Sequence, residues 1–401
     1  MSIRRLFLQN RGGAIDERFI ITVKTDNAGV SNDDQFTIPT STSGITQAFN
    51  YDIETSDGQT ITGVTGNHTI TFPSAGTYDI KISGSFPYIY FNNSGDQLKL
   101  LDIKNFGVYA LGSTSQDRAF FGCSNMIISA TDVGYFGDVT NFNYAWTICS
   151  SLTSFPLIDT SSGTNFILTW NGCNSLTSFP LIDTSSATTF GNAWLNCSSL
   201  TSFPLIDTSS GTAFNQAWFG CSSLTSFPLI DTSSGTNFTN AWQNCTSLIS
   251  FPLIDTSIGT SFANAWNGCT SLTSFPLIDT SSGTNFSSTW QGCSSLTSFP
   301  LIDTSSGTSF FSAWRDCSSL TTFPDNAFDT NIATNYIDAF TDTDLSTQSI
   351  DDILVSLDTA GQSNGTFTQS GGQAPSATGE AAIDSLVGKG WAITITGGYT
   401  P

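Results

Sequence analysis

Charge is the first thing this sequence has little of. Only 11% of its 401 residues are Asp, Glu, Lys or Arg, against roughly 25% in ordinary soluble domains. Basic residues are the scarcer kind, 11 against 32 acidic ones, for a formal net charge of −21. Nucleic acid and anionic membrane surfaces both reward basic patches, so neither is expected as a partner. A single histidine, His68, leaves no His pair for a metal and no multi-His mechanism. Glu380 is the only glutamate beyond Glu54, and no carboxylate pair stands out for glycoside cleavage. The sequence has no C-x-x-C, no phosphate-binding loop, no H-E-x-x-H and no Ser-His-Asp order. No apolar run reaches the ~18 residues of a membrane span. The basic start, Met1 to Arg11, has too short an apolar run for a secretory signal. Synthesis in the cytosol without membrane insertion is therefore expected.

What is present is repetition. Trp recurs at 146, 170, 194, 218, 242, 266, 290 and 314, a constant step of 24 residues. Each Trp is followed three residues later by Cys, from Cys149 to Cys317, and preceded four residues earlier by Phe, from Phe142 to Phe310. Ser-Phe-Pro-Leu-Ile-Asp-Thr occurs seven times between Ser154 and Thr304. A period of this size marks stacked units, none of which can bury its apolar face alone.

Each unit has two halves. Phe166, Thr169, Trp170 and Cys173 stand at i, i+3, i+4 and i+7, which predicts one face of a short helix. The segment Leu-Thr-Ser-Phe-Pro-Leu-Ile-Asp is β-branched, aromatic and apolar, which predicts a strand. Because Pro156 and its equivalents lack an N–H, the paired part is expected to be short, about Leu157 to Asp159. Asp-Thr-Ser-Ser-Gly-Thr supplies the turn. The strand half, Leu152-x-x-Phe155-x-Leu157, has leucine-rich-repeat spacing, and the full unit, Phe-x-x-Ala-Trp-x-x-Cys-x-x-Leu-x-x-Phe-Pro, resembles the BspA-type leucine-rich repeats over about residues 115–345. The resemblance implies a β/α solenoid. It also implies the settings in which such repeats occur, bacterial surface proteins and bacteriophage tail or receptor-binding proteins.

The flanks differ. Phe19–Val23, Gln35–Ile38, Thr60–Val64 and Thr77–Ile82 are short β-rich runs between turn signals, expected to form an antiparallel β-sandwich over 17–104. The stretch from Phe49 through Asp57-Gly58 to Ile80 resembles a PKD-like sandwich. Residues 101–141 are expected to form an irregular capping coil in which Phe120 stands where the Trp would be and Cys123 where the Cys would be. After the array, Asn335–Phe340 is expected as a last helix copy. Ile350, Ile353, Leu354 and Leu357 mark an amphipathic helix, residues 379–388 a second, and Trp391–Thr396 a strand. The segment from Ser349 to Gly397 resembles the C-terminal cap of phage-encoded proteins with this repeat. The expected organisation is thus an N-terminal arm (1–16), a sandwich (17–104), a leucine-rich-repeat-like β/α solenoid (105–345) and a small α/β cap (346–401).

Four sets of residues are candidates for function. The Asp ladder (Asp159, Asp183, Asp207, Asp231, Asp255, Asp279, Asp303) either caps turns through backbone N–H groups or forms an acidic stripe for a divalent cation or a receptor. The Ile ladder (Ile158, Ile182, Ile206, Ile230, Ile254, Ile278, Ile302) would lie outside if Leu157 and its equivalents lie inside, because neighbouring strand residues face opposite ways. Such an apolar ribbon would mark a subunit or receptor contact; the alternative is that the Ile are buried, by local side chains or by a bend after the Pro. The Cys and Trp ladders read as buried core, with a zinc site or a sugar-stacking groove as the sharper alternatives. Arg4, Arg5 and Arg11 mark the least acidic end and are the expected arm for docking onto a larger particle.

These readings converge on a non-enzymatic protein without cofactor. The expected function is that of a phage tail fibre or receptor-binding protein in the virion. It would be made in the host cytoplasm, be homo-oligomeric, join other virion proteins through its N-terminus and meet a host receptor or glycan through its repeats. A bacterial cell-surface adhesin and a glycan depolymerase are the alternatives.

Overall fold

A computed structural model of the chain describes residues 16–400. These divide into two compact units, one comprising the described residues up to Leu200 together with Pro204–Ser210, the other Thr201–Phe203 together with the described residues from Gly211 onward. The division falls within the repeat array.

The first unit opens with β1 (Phe19–Lys24), β2 (Gln35–Ile38), β3 (Asn50–Thr55), β4 (Thr60–Val64), β5 (His68–Thr71), β6 (Thr77–Ser85), β7 (Leu100–Asn105) and β8 (Ile127–Ile128). Alternation creates these strands. In β3, Tyr51, Ile53 and Thr55 are buried while Asn50, Asp52 and Glu54 are exposed. The larger sheet runs β4-β3-β6-β1-β7-β8, antiparallel except for the β7–β8 pair, and β2 pairs with β5 in a second, two-stranded sheet. A buried ion pair ties down the loop before β2. Lys99 Nζ donates to the carbonyls of Ser31, Asn32 and Gln35 at 2.8–3.0 Å and to Ser31 Oγ at 2.8 Å. Asp96, 4.0 Å from that ammonium, accepts from the backbone N–H groups of Val30, Ser31 and Thr37. Burial alone would raise the Asp96 carboxyl, but the Ser31 and Thr37 hydrogen bonds with the Lys99 charge hold it below its ordinary value.

The repeats correct the expected β/α solenoid. Between residues 139 and 334 the chain contains neither an α-helix nor a named strand; it is built from turns and isolated bridges. Among the described residues the α-helices are α1 (Thr347–Ala360) and α2 (Ala377–Gly388), both beyond the array. The coil from Phe238 to Cys245 shows the cause. Asn240 and Asn244 take left-handed φ values of 58° and 60°, and a left-handed residue at every fourth position is incompatible with a right-handed helix. The N–H groups of Phe238, Asn240, Trp242 and Asn244 donate to Ser261, Ala263, Ala265 and Asn267 of the next coil at 2.7–3.0 Å. The alternate residues Ala241, Gln243 and Cys245 donate three residues back, to Phe238, Asn240 and Trp242. Every second N–H therefore points between coils rather than four residues back, as an α-helix requires.

The apolar period still does its packing work, because residues 24 apart stack directly. In the second unit Trp218, Trp242, Trp266, Trp290 and Trp314 lie nearly parallel, with successive centroids 5.2–6.1 Å apart. Phe227, Phe251, Phe275 and Phe299 meet these indoles edge-on. In the first unit Trp146, Trp170 and Trp194 stack in the same way.

The second unit ends in β9 (Asn335–Phe340), α1, β10 (Thr366–Gln369), α2 and β11 (Ala392–Thr394), with all three strands parallel in the order β11-β10-β9. Here too an expected helix is replaced: Asn335–Phe340 is a strand. It sits where the next coil would, accepting from the N–H groups of Phe310, Ser312 and Trp314, and on its other edge it pairs with β10. Partners on both edges hold it extended.

Candidate functional site

The segment after each Pro decides which side chains the repeats present. In all seven copies the Ile N–H donates to the carbonyl of the Pro two residues earlier, for example Ile254 to Pro252 at 3.0 Å. An i to i+2 bond closes a γ-turn centred on the intervening Leu. That bend breaks the strand alternation assumed from the sequence. It turns Leu outward and Ile inward. Leu253 is 61% exposed and Ile254 only 2%. The Ile ladder (Ile158, Ile182, Ile206, Ile230, Ile254, Ile278, Ile302) is accordingly core, and its reading as an exposed contact row is overturned. The exposed apolar residues are Leu157, Leu181 and Leu205 in the first unit and Leu229, Leu253, Leu277 and Leu301 in the second.

The Asp ladder stands two residues beyond these leucines, on the same outward side. Asp183, Asp207, Asp231, Asp255, Asp279 and Asp303 are exposed and Asp159 is half-buried. Each uses Oδ1 to accept from the backbone N–H two residues on, from Ser161 for Asp159 to Ser305 for Asp303. In the first six the Oγ of that Ser donates to the same oxygen at 2.6–2.7 Å. The geometry is that of an Asp closing a turn. The Ser233 and Ser281 hydrogen bonds hold the carboxyls of Asp231 and Asp279 below the usual carboxylate range. Among the described residues, no three His, Cys, Asp or Glu side chains come together as a metal-binding group.

The thiols and indoles lie inside. Cys123 and the eight repeat cysteines are buried and unbridged. The Cys245, Cys269, Cys293 and Cys317 thiols each donate to the carbonyl of the Trp 27 residues earlier, at 3.1–3.3 Å. Burial pushes the thiols of Cys173, Cys269 and Cys317 up to about 12. A protonated, buried thiol is neither a nucleophile nor a metal ligand. The repeat tryptophans are fully buried and offer no face to a sugar. Arg4, Arg5 and Arg11 lie outside the described residues. His68 is half-buried in β5.

Within each unit the coils thus repeat the same outward pair, Leu and then Asp. Sequence reasoning found the Asp half and missed the Leu half. It also missed the Lys99–Asp96 pair, whose partners on the segment at 30–37 are 59 to 68 residues away in the chain. Comparison with known proteins gives no matching family model and no matching curated protein. Among the described residues no helix is long and apolar enough to cross a membrane.

Proposed function

We propose that this chain is a non-enzymatic attachment protein of a virion, a phage tail fibre or receptor-binding protein that meets the host surface through its repeats. The observation that carries the reading is the exposed leucine recurring at 24-residue intervals within each unit, Leu157 to Leu205 in the first and Leu229 to Leu301 in the second, over a buried aromatic core. An exposed apolar set of this kind is the usual mark of an interaction surface. Repeating one contact in every coil suits multivalent binding, in which weak contacts on a common scaffold multiply into useful avidity. The resemblance of the repeat and of the segment from Ser349 to Gly397 to phage-encoded proteins supports a virion location. The carboxylates closing turns and the thiols held protonated in the core are structural groups, which supports binding rather than catalysis.

Two measurements test the reading. Gold-labelled antibody against the chain should decorate purified virions at the tail or a surface appendage. Soluble protein should compete with virions for adsorption to host cells. Unlabelled particles together with labelling of the bacterial cell surface would replace this reading with the adhesin.

A further inference from the structure

In the second unit the coils are near-copies, and their differences are not spread evenly. The stretches 222–236, 246–260, 270–284 and 294–308 differ from one another only by Ser–Thr exchanges and by Ile249 and Ile258. The shorter stretches that alternate with them, 213–221, 237–245, 261–269 and 285–293, keep their buried Phe, Trp and Cys and a small Ala or Thr before Trp, but otherwise change from coil to coil. The position two after Phe reads Gln216, Asn240, Asn264 and Ser288, and the position after Trp reads Phe219, Gln243, Asn267 and Gln291. Exposure does not explain the contrast. Leu253, Asp255 and Thr260 are exposed and identical in all four coils, whereas Asn264 and Asn267 are half-buried. Surface that merely faces water would vary at least as freely where it is more exposed, so variation confined to one face points to side chains that touch a ligand.

The varied side chains share one chemistry. Gln216, Asn240, Gln243, Asn264, Asn267 and Gln291 are carboxamides, and the four stretches hold no Asp, Glu, Lys, Arg or His. Their contacts with one another are long. Asn267 Nδ2 donates to Gln291 Oε1 at 3.3 Å and to Asn264 Oδ1 at 3.5 Å, and Gln243 Nε2 donates to Asn267 Oδ1 at 3.5 Å. Asn240 Oδ1 has no hydrogen-bond partner. Amides paired this loosely lose little when they exchange one another for a ligand's polar groups. Phe219, a half-buried ring, stands one coil before Gln243 in the same row, where the Gly220 N–H donates to the Gln243 carbonyl at 2.8 Å.

Each carboxamide offers two donors and an acceptor, the combination that neighbouring sugar hydroxyls need, since every hydroxyl both donates and accepts. The negative face of the Phe219 ring suits the C–H face of a pyranose. An anionic ligand would find no cation in these stretches. A peptide takes its specificity from side-chain pockets, and between Phe219 and Gln291 the varied positions carry no apolar side chain larger than Ala263. We propose that this carboxamide patch, edged by Phe219, is a binding site for an uncharged oligosaccharide, a second face of the repeats beyond the leucine row on which the attachment reading rests.

The test uses the full chain on an array of immobilised hexasaccharides. The array carries uncharged oligomers of glucose, galactose, mannose, rhamnose and N-acetylglucosamine, their uronate and sialylated counterparts, and a set of uncharged peptides. At least one uncharged oligosaccharide should bind, with no loss on added salt, because no charge takes part. Q243M/Q291M keeps side-chain length but removes two amides, and should weaken that binding at least about tenfold. F219L keeps an apolar side chain without the ring and should weaken it too, while L229S/L253S/L277S should leave it unchanged. Thermal unfolding sets the folded fraction at which the variants are compared. Binding of no uncharged oligosaccharide, stronger binding of the uronate or sialylated members, binding of peptides instead, undiminished binding by Q243M/Q291M or F219L, or loss in the leucine variant overturns the proposal. Virion labelling is read separately: unlabelled particles with oligosaccharide binding intact overturn the attachment reading alone, and labelled particles with no oligosaccharide binding overturn the carboxamide site alone.

Discussion

The γ-turn after each repeated Pro makes a prediction that contrasts adjacent residues. Ile254 is 2% exposed and Leu253 is 61% exposed, although their side chains are equal in size and hydrophobicity. Truncating Ile254 to Ala removes three carbons from a close-packed interior. Such changes cost about 2–5 kcal/mol, with the larger values where the cavity cannot collapse. The stacked aromatic coils on either side leave little room for collapse, which favours the middle of that range, about 3 kcal/mol. Truncating Leu253 removes atoms already largely in water and should cost no more than about 0.5 kcal/mol. With a urea dependence of about 3 kcal/mol per molar, Ile254→Ala should lower the unfolding midpoint by about 1 M, and Leu253→Ala by less than about 0.2 M. Ile254→Val should fall between them, at about 0.5–1.5 kcal/mol. Urea unfolding followed by Trp fluorescence reads all three, since the indoles lie in the same core. A larger loss from Leu253→Ala than from Ile254→Ala would refute the inward Ile and restore plain strand alternation.

Other consequences follow from the core and the turns. The buried thiols titrate higher in the folded chain than in the unfolded one, where a Cys ionises near 8.5. The unfolded chain therefore holds fewer protons above that pH, and stability should be intact below about 8.5 and fall as pH rises toward 10, by about 1.4 kcal/mol per pH unit for each thiol. A Cys245→Ala/Cys269→Ala variant with an unchanged alkaline slope between pH 8.5 and 10 would contradict this. Lys99→Met leaves Asp96 buried without its cation and should cost about 3–5 kcal/mol in urea unfolding; a loss under 1 kcal/mol would show that the pair does not hold the loop. Asn240, at a φ of 58°, should tolerate Gly but lose about 1–2 kcal/mol on replacement by Val. Equal midpoints for the two variants would remove the left-handed turn as the reason the segment is not a helix.

Much of this architecture was legible in the sequence, and the failures have identifiable physical causes. The 24-residue step revealed stacked units because stacking needs only that equivalent side chains meet, whatever the backbone does between them. β-rich runs bounded by turn signals located β2 and β4 at their observed ends and β1 and β6 to within a few residues. The helix expected in each repeat failed because i, i+3, i+4, i+7 spacing describes a face, and successive turns can present the same face. A contrary signal was present. Two residues after seven of the eight Trp stand Gly172, Asn196, Gly220, Asn244, Gly268, Gly292 and Asp316, residue types that enter left-handed backbone readily, while the first copy places Ile148 there, also at a left-handed φ of 60°. For the Ile ladder the exposed contact row fails and the alternative of a bend after the Pro holds: strand alternation does not carry across the Pro, and the γ-turn there turns Ile inward. Of the two readings open for the aspartates, turn closure and an acidic binding stripe, the hydrogen bonds show the first, because Asp-x-Ser is a local interaction requiring no knowledge of the fold. Lys99 and Asp96 could not be paired in advance, since their contacts reach across the fold to the loop before β2 and to β2 itself.

The account stands most directly on whether the exposed leucine row makes the contact. Adsorption of fluorescently labelled full-length protein to host cells should fall at least tenfold for L229S/L253S/L277S, whose substituted side chains are more than half exposed, while its unfolding midpoint stays at the wild-type value. Undiminished adsorption by that variant, with Asp231→Asn/Asp255→Asn/Asp279→Asn equally unaffected, would contradict the claim and move the contact off the repeat face.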